Sequence, residues 1–337
     1  MARICRATHR ITVLVSMLAI LCGIAGSRSS RGQYGILRST DNGSTWKQVF
    51  HGNFDVDHLV IDRGGYILAS TMIVTSHKMF SELYASRLDT DVWRRIVLPG
   101  DASRSELIFD LIATPDGSVF ALLKGTILRT DDGGVTWSIV ASTLPADFTS
   151  LKVGPNHSLL AISKDGLYQS ADVGKSWHSL GFEDQMPDGG TTLSDGTILV
   201  TSSCKLFATS LSQDHASEWF LPREDDCPNV RELASDARGH LFANTRRGIF
   251  RSVVTGKTWK KVLGFKEEVI PFGITVAPDG DVFALVLEGD SSPTLFRSID
   301  AGETWLAVRR FGSGTSISQF AFASNGVVYA ALTSFGD

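Results

Sequence analysis

The sequence predicts an all-β protein, a single seven-bladed β-propeller of four-stranded antiparallel blades. Three observations predict it. A turn phrase of the form Ser/Thr-x-Asp-x-Gly-x-Thr/Ser-Trp returns along the chain; the seven tryptophans are spaced 40 to 47 residues apart; and a second turn phrase alternates with the first. Repeats of that length, each able to make four short strands, are the signature of blades around a central axis.

The first phrase is complete in four copies, around Asp41-Gly43-Trp46, Asp132-Gly134-Trp137, Asp172-Gly174-Trp177 and Asp300-Gly302-Trp305. A fifth, Ser252 to Trp259, keeps Gly256 and Thr258 but has Val254 in place of Asp. Each copy follows a short apolar alternating segment such as Ile36-Leu37-Arg38-Ser39, which reads as a strand. The Asp side chain accepts hydrogen bonds from nearby backbone N–H groups, and the Gly tolerates the positive φ of a tight reversal. The following Thr or Ser and Trp start a return strand, and an indole at the same place in every unit predicts a wedge between neighbouring units. On this mechanism Asp41, Asp132, Asp172 and Asp300 are turn residues and not catalytic acids.

The second phrase is clearest at Thr114-Pro115-Asp116-Gly117 and Ala277-Pro278-Asp279-Gly280, with relaxed versions around Gly65, Asn156, Gly196, Gly239 and Gly326. Seven hairpins of each kind make seven blades. The two ends of the chain carry different kinds, so one blade is shared: residues 34–50 supply its two outer strands and 318–333 its two inner strands. Closure of this sort removes free sheet edges.

Residues 1–26 read as a secretory signal peptide, with Arg3, Arg6 and Arg10 ahead of the apolar run Ile11 to Ile24 and small residues at Gly23 and Ala25 flanking a cleavage site. The run is short of the roughly 20 residues that span a bilayer. The propeller then occupies 27–337, and the protein is expected outside the cytoplasm, as a secreted, periplasmic or cell-surface monomer; an uncleaved signal acting as an anchor is the other reading. The formal net charge of -4 asks for neither nucleic acid nor a membrane surface.

Both turn phrases fall on one face, so the opposite face, built from second-to-third strand turns and blade-to-blade connections, is where recognition is expected. Cys204 and Cys227 both map there, and an even count in an exported chain argues for a disulfide between them. Two cysteines alone make a poor zinc site and the eight histidines show no metal spacing, so neither a metal nor another cofactor is expected. The second-to-third turns carry Lys78, Lys124, Lys164, Lys205, Arg246 and Arg247, a collar able to hold an anionic ligand. The bland alternative is solvated turn charge balanced by acids such as Asp184, Asp225 and Asp226.

The first phrase resembles the Asp-box, or BNR, repeat of sialidases, sortilin-type receptors and photosystem II assembly factors. That resemblance implies a propeller whose Asp boxes lie opposite the active or ligand-binding site. The sialidase chemistry it also implies needs an arginine triad, a tyrosine nucleophile, a glutamate base and an aspartate acid. Here the Arg-Ile-Pro signature is missing, Arg38, Arg129, Arg251 and Arg297 recur one residue before each turn as a repeat feature, and Tyr66, Tyr84, Tyr168 and Tyr329 hold positions filled elsewhere by packing residues. The expectation is therefore a non-enzymatic binding or assembly module for a protein or carbohydrate ligand, with a sialidase-type glycoside hydrolase as the alternative.

Overall fold

The computed structural model describes residues 34–52, 54–100, 106–202, 205–211, 217–219, 230–253, 256, 258–264, 270–287, 292–312 and 314–333. Residues 1–26, read above as a signal peptide, and Cys204, Cys227, Asp225 and Asp226 lie outside the described residues.

The chain opens with β1 (Gly35–Ser39) and β2 (Lys47–His51). Blade 2 is β3 (Asp55–Ile61), β4 (Tyr66–Val74), β5 (Met79–Arg87) and β6 (Arg94–Ile96); blade 3 is β7 (Ile108–Ala113), β8 (Val119–Leu123), β9 (Thr126–Thr130) and β10 (Ser138–Ala141). Blade 4 holds β11 (Phe148–Val153), β12 (Leu159–Ser163), β13 (Gly166–Ser170) and β14 (His178–Ser179). Blade 5 holds β15 (Gly189–Thr192), β16 (Ile198–Ser202), β17 (Lys205–Thr209) and β18 (Ser217–Trp219). Blade 6 is β19 (Glu232–Ser235), β20 (Leu241–Thr245), β21 (Gly248–Ser252) and β22 (Lys260–Gly264). Blade 7 is β23 (Ile270–Val276), β24 (Val282–Leu287), β25 (Pro293–Ser298) and β26 (Leu306–Arg310). The last strands, β27 (Ser316–Phe322) and β28 (Val328–Thr333), pair with the first: β28 runs antiparallel to β1, Gly35 opposite Leu332 and Ser39 opposite Val328. The result is seven four-stranded antiparallel sheets, with blade 1 built as β27-β28-β1-β2 from inside to outside.

The second strand of each blade is the most buried, because it is flanked within its sheet and covered on both faces by neighbouring blades. β8, β12, β16 and β20 are buried along their whole length, and their continuous apolar or small-residue composition follows from that. The cores are therefore seven seams between blades. One seam joins blades 3 and 4 through Phe120, Leu122, Phe148, Leu151 and Leu159, with Trp177 packed against it. Trp46 does the same where blade 7 meets blade 1, its ring 5.8 Å from Phe311 and 6.2 Å from Phe320. Trp93, Trp137, Trp259 and Trp305 each pack on a seam in the same way.

The first-phrase turns show why their residue types recur. Asp41 Oδ1 accepts from Thr45 N (2.8 Å) and Ser39 Oγ (2.7 Å), Oδ2 accepts from Thr45 Oγ1 (2.6 Å), and Ser39 Oγ accepts from Gly43 N (2.8 Å). Trp46 Nε1 donates to Gly43 O at 2.7 Å, tying the wedge to the turn. Asp132, Asp172 and Asp300 accept from Thr136, Ser176 and Thr304 in the same pattern. The Thr45 side chain, then its backbone, then Ser39 hold the Asp41 carboxyl down at about 2, and equivalent bonds lower Asp172 and Asp300 to about 2. At Asp132 desolvation opposes the shift and the Thr136 bonds outweigh it, again to about 2.

In blade 2, β4 continues to Val74 and β5 restarts at Met79, so only 75–78 form the second-to-third turn. Apolar Ile73, Val74, Met79 and Phe80 sustain cross-strand pairing, Ile73 with Phe80 and Val74 with Met79, and the blade 2 hairpin rises as an arm beyond its neighbours.

Candidate functional site

Two features occupy the face opposite the Asp–Gly turns: the second-to-third turns and the mouth of a central channel lined by the inner strands. Lys78, Lys124, Lys164, Arg246 and Arg247 fall in those turns and Lys205 opens β17, so the structure spreads them along the rim over blades 2 to 6, one or two on each. They are exposed. Three are engaged locally: Lys78 lies over the Phe80 ring at 4.8 Å, Lys164 pairs with Asp165 at 3.5 Å, and Lys205 pairs with Glu218 at 3.0 Å. The arrangement gathers charge at blade 6. There the Arg231 backbone N–H donates to Asn244 O at 2.9 Å, which sets Arg231 opposite the end of β20 and beside the turn bearing Arg246 and Arg247. Desolvation, and then the like charge of Arg246, push the Arg231 guanidinium below its ordinary value. Neither Arg231 nor Arg246 has a carboxylate partner among the described residues. Sequence reading missed Arg231 because it lies in a blade-to-blade connection with no repeat signal.

The channel carries a second set of charges that the repeat pattern did not reveal. Five inner strands share a register irregularity, at Ile317/Gln319, Val56/His58, Ile108/Asp110, Phe148/Ser150 and Pro271/Gly273. The residue just after it occupies one ring position, which Glu232 shares on β19. From that position side chains clasp the next blade: Gln319 Oε1 accepts from Leu59 N (2.8 Å), Asp110 Oδ2 from Leu151 N (2.9 Å), and Glu232 Oε2 from Ile274 N (2.8 Å). His58 Nδ1 meets Ser70 Oγ at 2.9 Å, and burial pushes its pKa down against the pull of Asp110. Glu232 is reached by solvent yet ringed by inner strands. That enclosure pushes its carboxyl up to about 7, against the Ile274 hydrogen bond and the positive field of Lys152. Desolvation, with Asp55 second, pushes Asp57 up to about 7 as well. Among the described residues, no three His, Cys, Asp or Glu side chains cluster as a metal site would require, and no helix is long and apolar enough to cross a membrane.

The repeated arginines are committed elsewhere. Arg38 pairs with Asp91 at 2.6 Å; Arg129 pairs with Asp131 at 2.8 Å and lies over Phe120; Arg251 reaches Ala301 O and Glu303; Arg297 pairs with Asp281 and lies over Phe283. Tyr84 has a glutamate partner, donating to Glu82 Oε2 at 2.6 Å. Desolvation first, and then that bond, push the phenol up to about 12, the wrong direction for a nucleophile.

No protein-family model matches this chain, and no curated protein matches it in sequence. Solved structures share its fold. One is YCF48 bound to D1 peptide, 16% identical, with a TM-score of 0.62 over 83% of this chain and 92% of that one. Another is a catalytically inactive virginiamycin B lyase from Staphylococcus aureus with quinupristin, 14% identical, TM-score 0.62, over 83% and 95%. A third is an extracellular domain from B. thetaiotaomicron assigned to a hybrid two-component system, 12% identical, TM-score 0.62, over 90% of this chain and 39% of that one. At such identities the likeness establishes the seven-bladed propeller and is consistent with a propeller binding module; it assigns no chemistry.

Proposed function

We propose that this chain is an exported binding or assembly module that recognises a protein or glycan through the face opposite the Asp–Gly turns. It belongs on this reading with the Asp-box propellers, its first 26 residues are removed on export, and Cys204 and Cys227 are joined. The observation that carries the reading is the pair Arg231 and Arg246. The backbone bond from Arg231 to Asn244 O sets Arg231 beside the turn bearing Arg246, and two like charges so placed are relieved by a ligand's carboxylate, sulfate or phosphate groups. The rim lysines extend that potential around the face. A fold shared with a peptide-bound YCF48 supports the protein-binding form of the reading. The test is retention of the pure protein on arrays of acidic peptides and acidic glycans. Retention should weaken with salt and be lost in the double variant Arg231→Glu/Arg246→Glu; retention that the double variant keeps in full would overturn the assignment.

The Tyr84–Glu82 hydrogen bond is the one observation that favours glycoside hydrolysis of the sialidase type. A fluorogenic sialoside panel decides it: turnover by the wild type that Tyr84→Phe abolishes would replace the binding-module reading.

A further inference from the structure

We propose that the arm of blade 2 is a strand-addition site, where an extended peptide segment of a partner protein, acidic at its N-terminal end, pairs with the axis-side edge of β4 at Val74. The inference rests on the reading of this face as a protein-binding surface and supplies the mode of binding.

β4 and β5 run nine residues each, where the second and third strands of the other blades run five or six. Their inner neighbour does not follow them: β3 begins at Asp55, opposite Met72. Among the described residues, Ile73 and Val74 therefore have β5 on one side and no strand on the other. The direction of the backbone groups decides what the open side offers. Asp62 N donates to Tyr66 O at 2.9 Å, which turns Tyr66 toward β3, and Thr75 N donates to Lys78 O at 2.9 Å, which turns Thr75 toward β5. Successive residues of a strand alternate between the two sides. Val74, an even number of residues from Tyr66 and one before Thr75, thus points its N–H and C=O to the axis side. The outer edge of the ribbon is taken up at Ser81, whose N–H donates to Glu106 O at 3.1 Å.

The ribbon is set before a partner arrives. Thr75 Oγ1 donates to Lys78 O at 2.9 Å and accepts from Lys78 N at 3.1 Å, which fixes the turn. The cost of ordering then falls on the peptide alone. Leu68 to Thr75 carries no charge, and Val74 is 50% exposed. Val74 pairs with Met79 on one face of the ribbon and Ile73 with Phe80 on the other, so an added strand finds apolar neighbours on both faces.

Charge selects the partner and its direction. The arm from Met72 to Phe80 holds His77 and Lys78 and no acid, and Lys124 stands in the corresponding turn of blade 3. Asp55 lies at the foot of the open edge, opposite Met72. An added strand is met by positive charge at the tip of the arm and by negative charge at its foot. Antiparallel addition continues the pattern of the sheet and runs the peptide from tip to foot, which puts its acidic residues at its N-terminal end. A second copy of this chain is a poorer fit, because pairing two arms edge to edge turns the cationic rims of both copies toward one another.

The test is fluorescence anisotropy of the full chain with labelled, end-capped peptides that share a Val-Thr-Val-Thr core and carry glutamates at the N-terminal end, glutamates at the C-terminal end, or lysines in their place. Saturable binding is expected, tightest with glutamates at the N-terminal end. N-methylation of the core's backbone nitrogens, and Val74→Pro in the protein, should each weaken it about tenfold or more, the loss of backbone hydrogen bonds. Val74→Pro leaves the β4–β5 ladder intact because the lost N–H faces away from β5, and a melting temperature close to that of the wild type checks this. The methylated peptide tests the pairing without altering the protein, and Val74→Thr, which keeps the edge, should bind as the wild type does. The rim variant Arg231→Glu/Arg246→Glu should still bind this peptide, so this site and the proposed ligand face fail separately. Absence of binding across the peptides, equal affinity for the methylated peptide, or affinity unchanged in Val74→Pro would overturn the assignment. A dimer in sedimentation that Val74→Pro dissolves would overturn it too, in favour of a second copy.

Discussion

At the scale of single residues, the same side-chain type does opposite things in two places. The turn aspartates are exposed but wrapped in donors, so their carboxyls sit near 2; Asp57 and Glu232 are enclosed in the channel with few donors and sit near 7. The signs follow. A depressed carboxyl contributes stability that is present above its ordinary value near 4 and is lost as pH falls through about 2. Asp41→Ala is therefore expected to lower the melting temperature at pH 6, with the gap to the wild type narrowing as both are melted at pH values falling from 4 towards 2. A raised carboxyl contributes stability that is complete below its ordinary value and is lost as pH rises through about 7. Glu232→Gln should accordingly flatten the fall in denaturation midpoint between pH 5 and pH 8; a slope equal to that of the wild type would refute the enclosure argument. The one charge that acts on Glu232 in this comparison is that of Lys152, which lowers its pKa; β15 and β23 bring none. One further residue-scale detail is Trp137. Arg94 takes the carbonyls of Gly133 and Gly134, and the Trp137 indole N–H is left without the acceptor that Trp46 enjoys.

At the scale of elements, the third strand of a blade explains a glycine that the turn phrases alone do not. Gly35 opens β1 at φ +116°, and a Cβ there would lie 2.0 Å from Phe50 O, because the fourth strand shifts register beside it. Gly248 repeats the arrangement in blade 6, at φ +130° with 2.2 Å to Leu263 O. Gly248→Ala is expected to destabilise the protein by about 2 kcal/mol or more, since both the backbone region and the space exclude a side chain; chemical denaturation measures it. The tryptophan wedges act at the same scale. Trp177 meets Phe148 with ring centroids 4.9 Å apart at the blade 3–blade 4 seam, and Trp177→Ala should cost about 3 kcal/mol and broaden the melting transition as that seam loosens. The tryptophan spacing and both turn phrases were legible in the sequence because each repeats. The blade 2 arm was not, since Met72 to Phe80 has no counterpart in another blade against which to recognise it.

For the whole molecule, closure is the decisive property. Blade 1 borrows its two inner strands from the end of the chain and its two outer strands from the beginning, and Ile36, Ala331, Leu59 and Ile67 share one core across the junction with blade 2. Removing residues 34–51 would leave β28 as a bare edge and strip Ile36 and Phe50 from that core. A chain truncated in this way is expected to aggregate or to melt well below the full-length protein, and one that stayed monomeric with an unchanged melting point would show that the ring does not depend on this blade.

The sequence by itself determined the blade count, the turn chemistry and the way the ends meet, because these are local patterns repeated until their period is unmistakable. Only the tertiary structure decided which charges face one another. Arg231 beside Arg246, Glu232 clasping Ile274, and Lys152 paired with Asp110 are encounters between adjoining strands or neighbouring blades. Nothing in a repeat period records what the curvature of the ring brings to its axis, where each blade contributes a single strand and the identity of its neighbours sets the field.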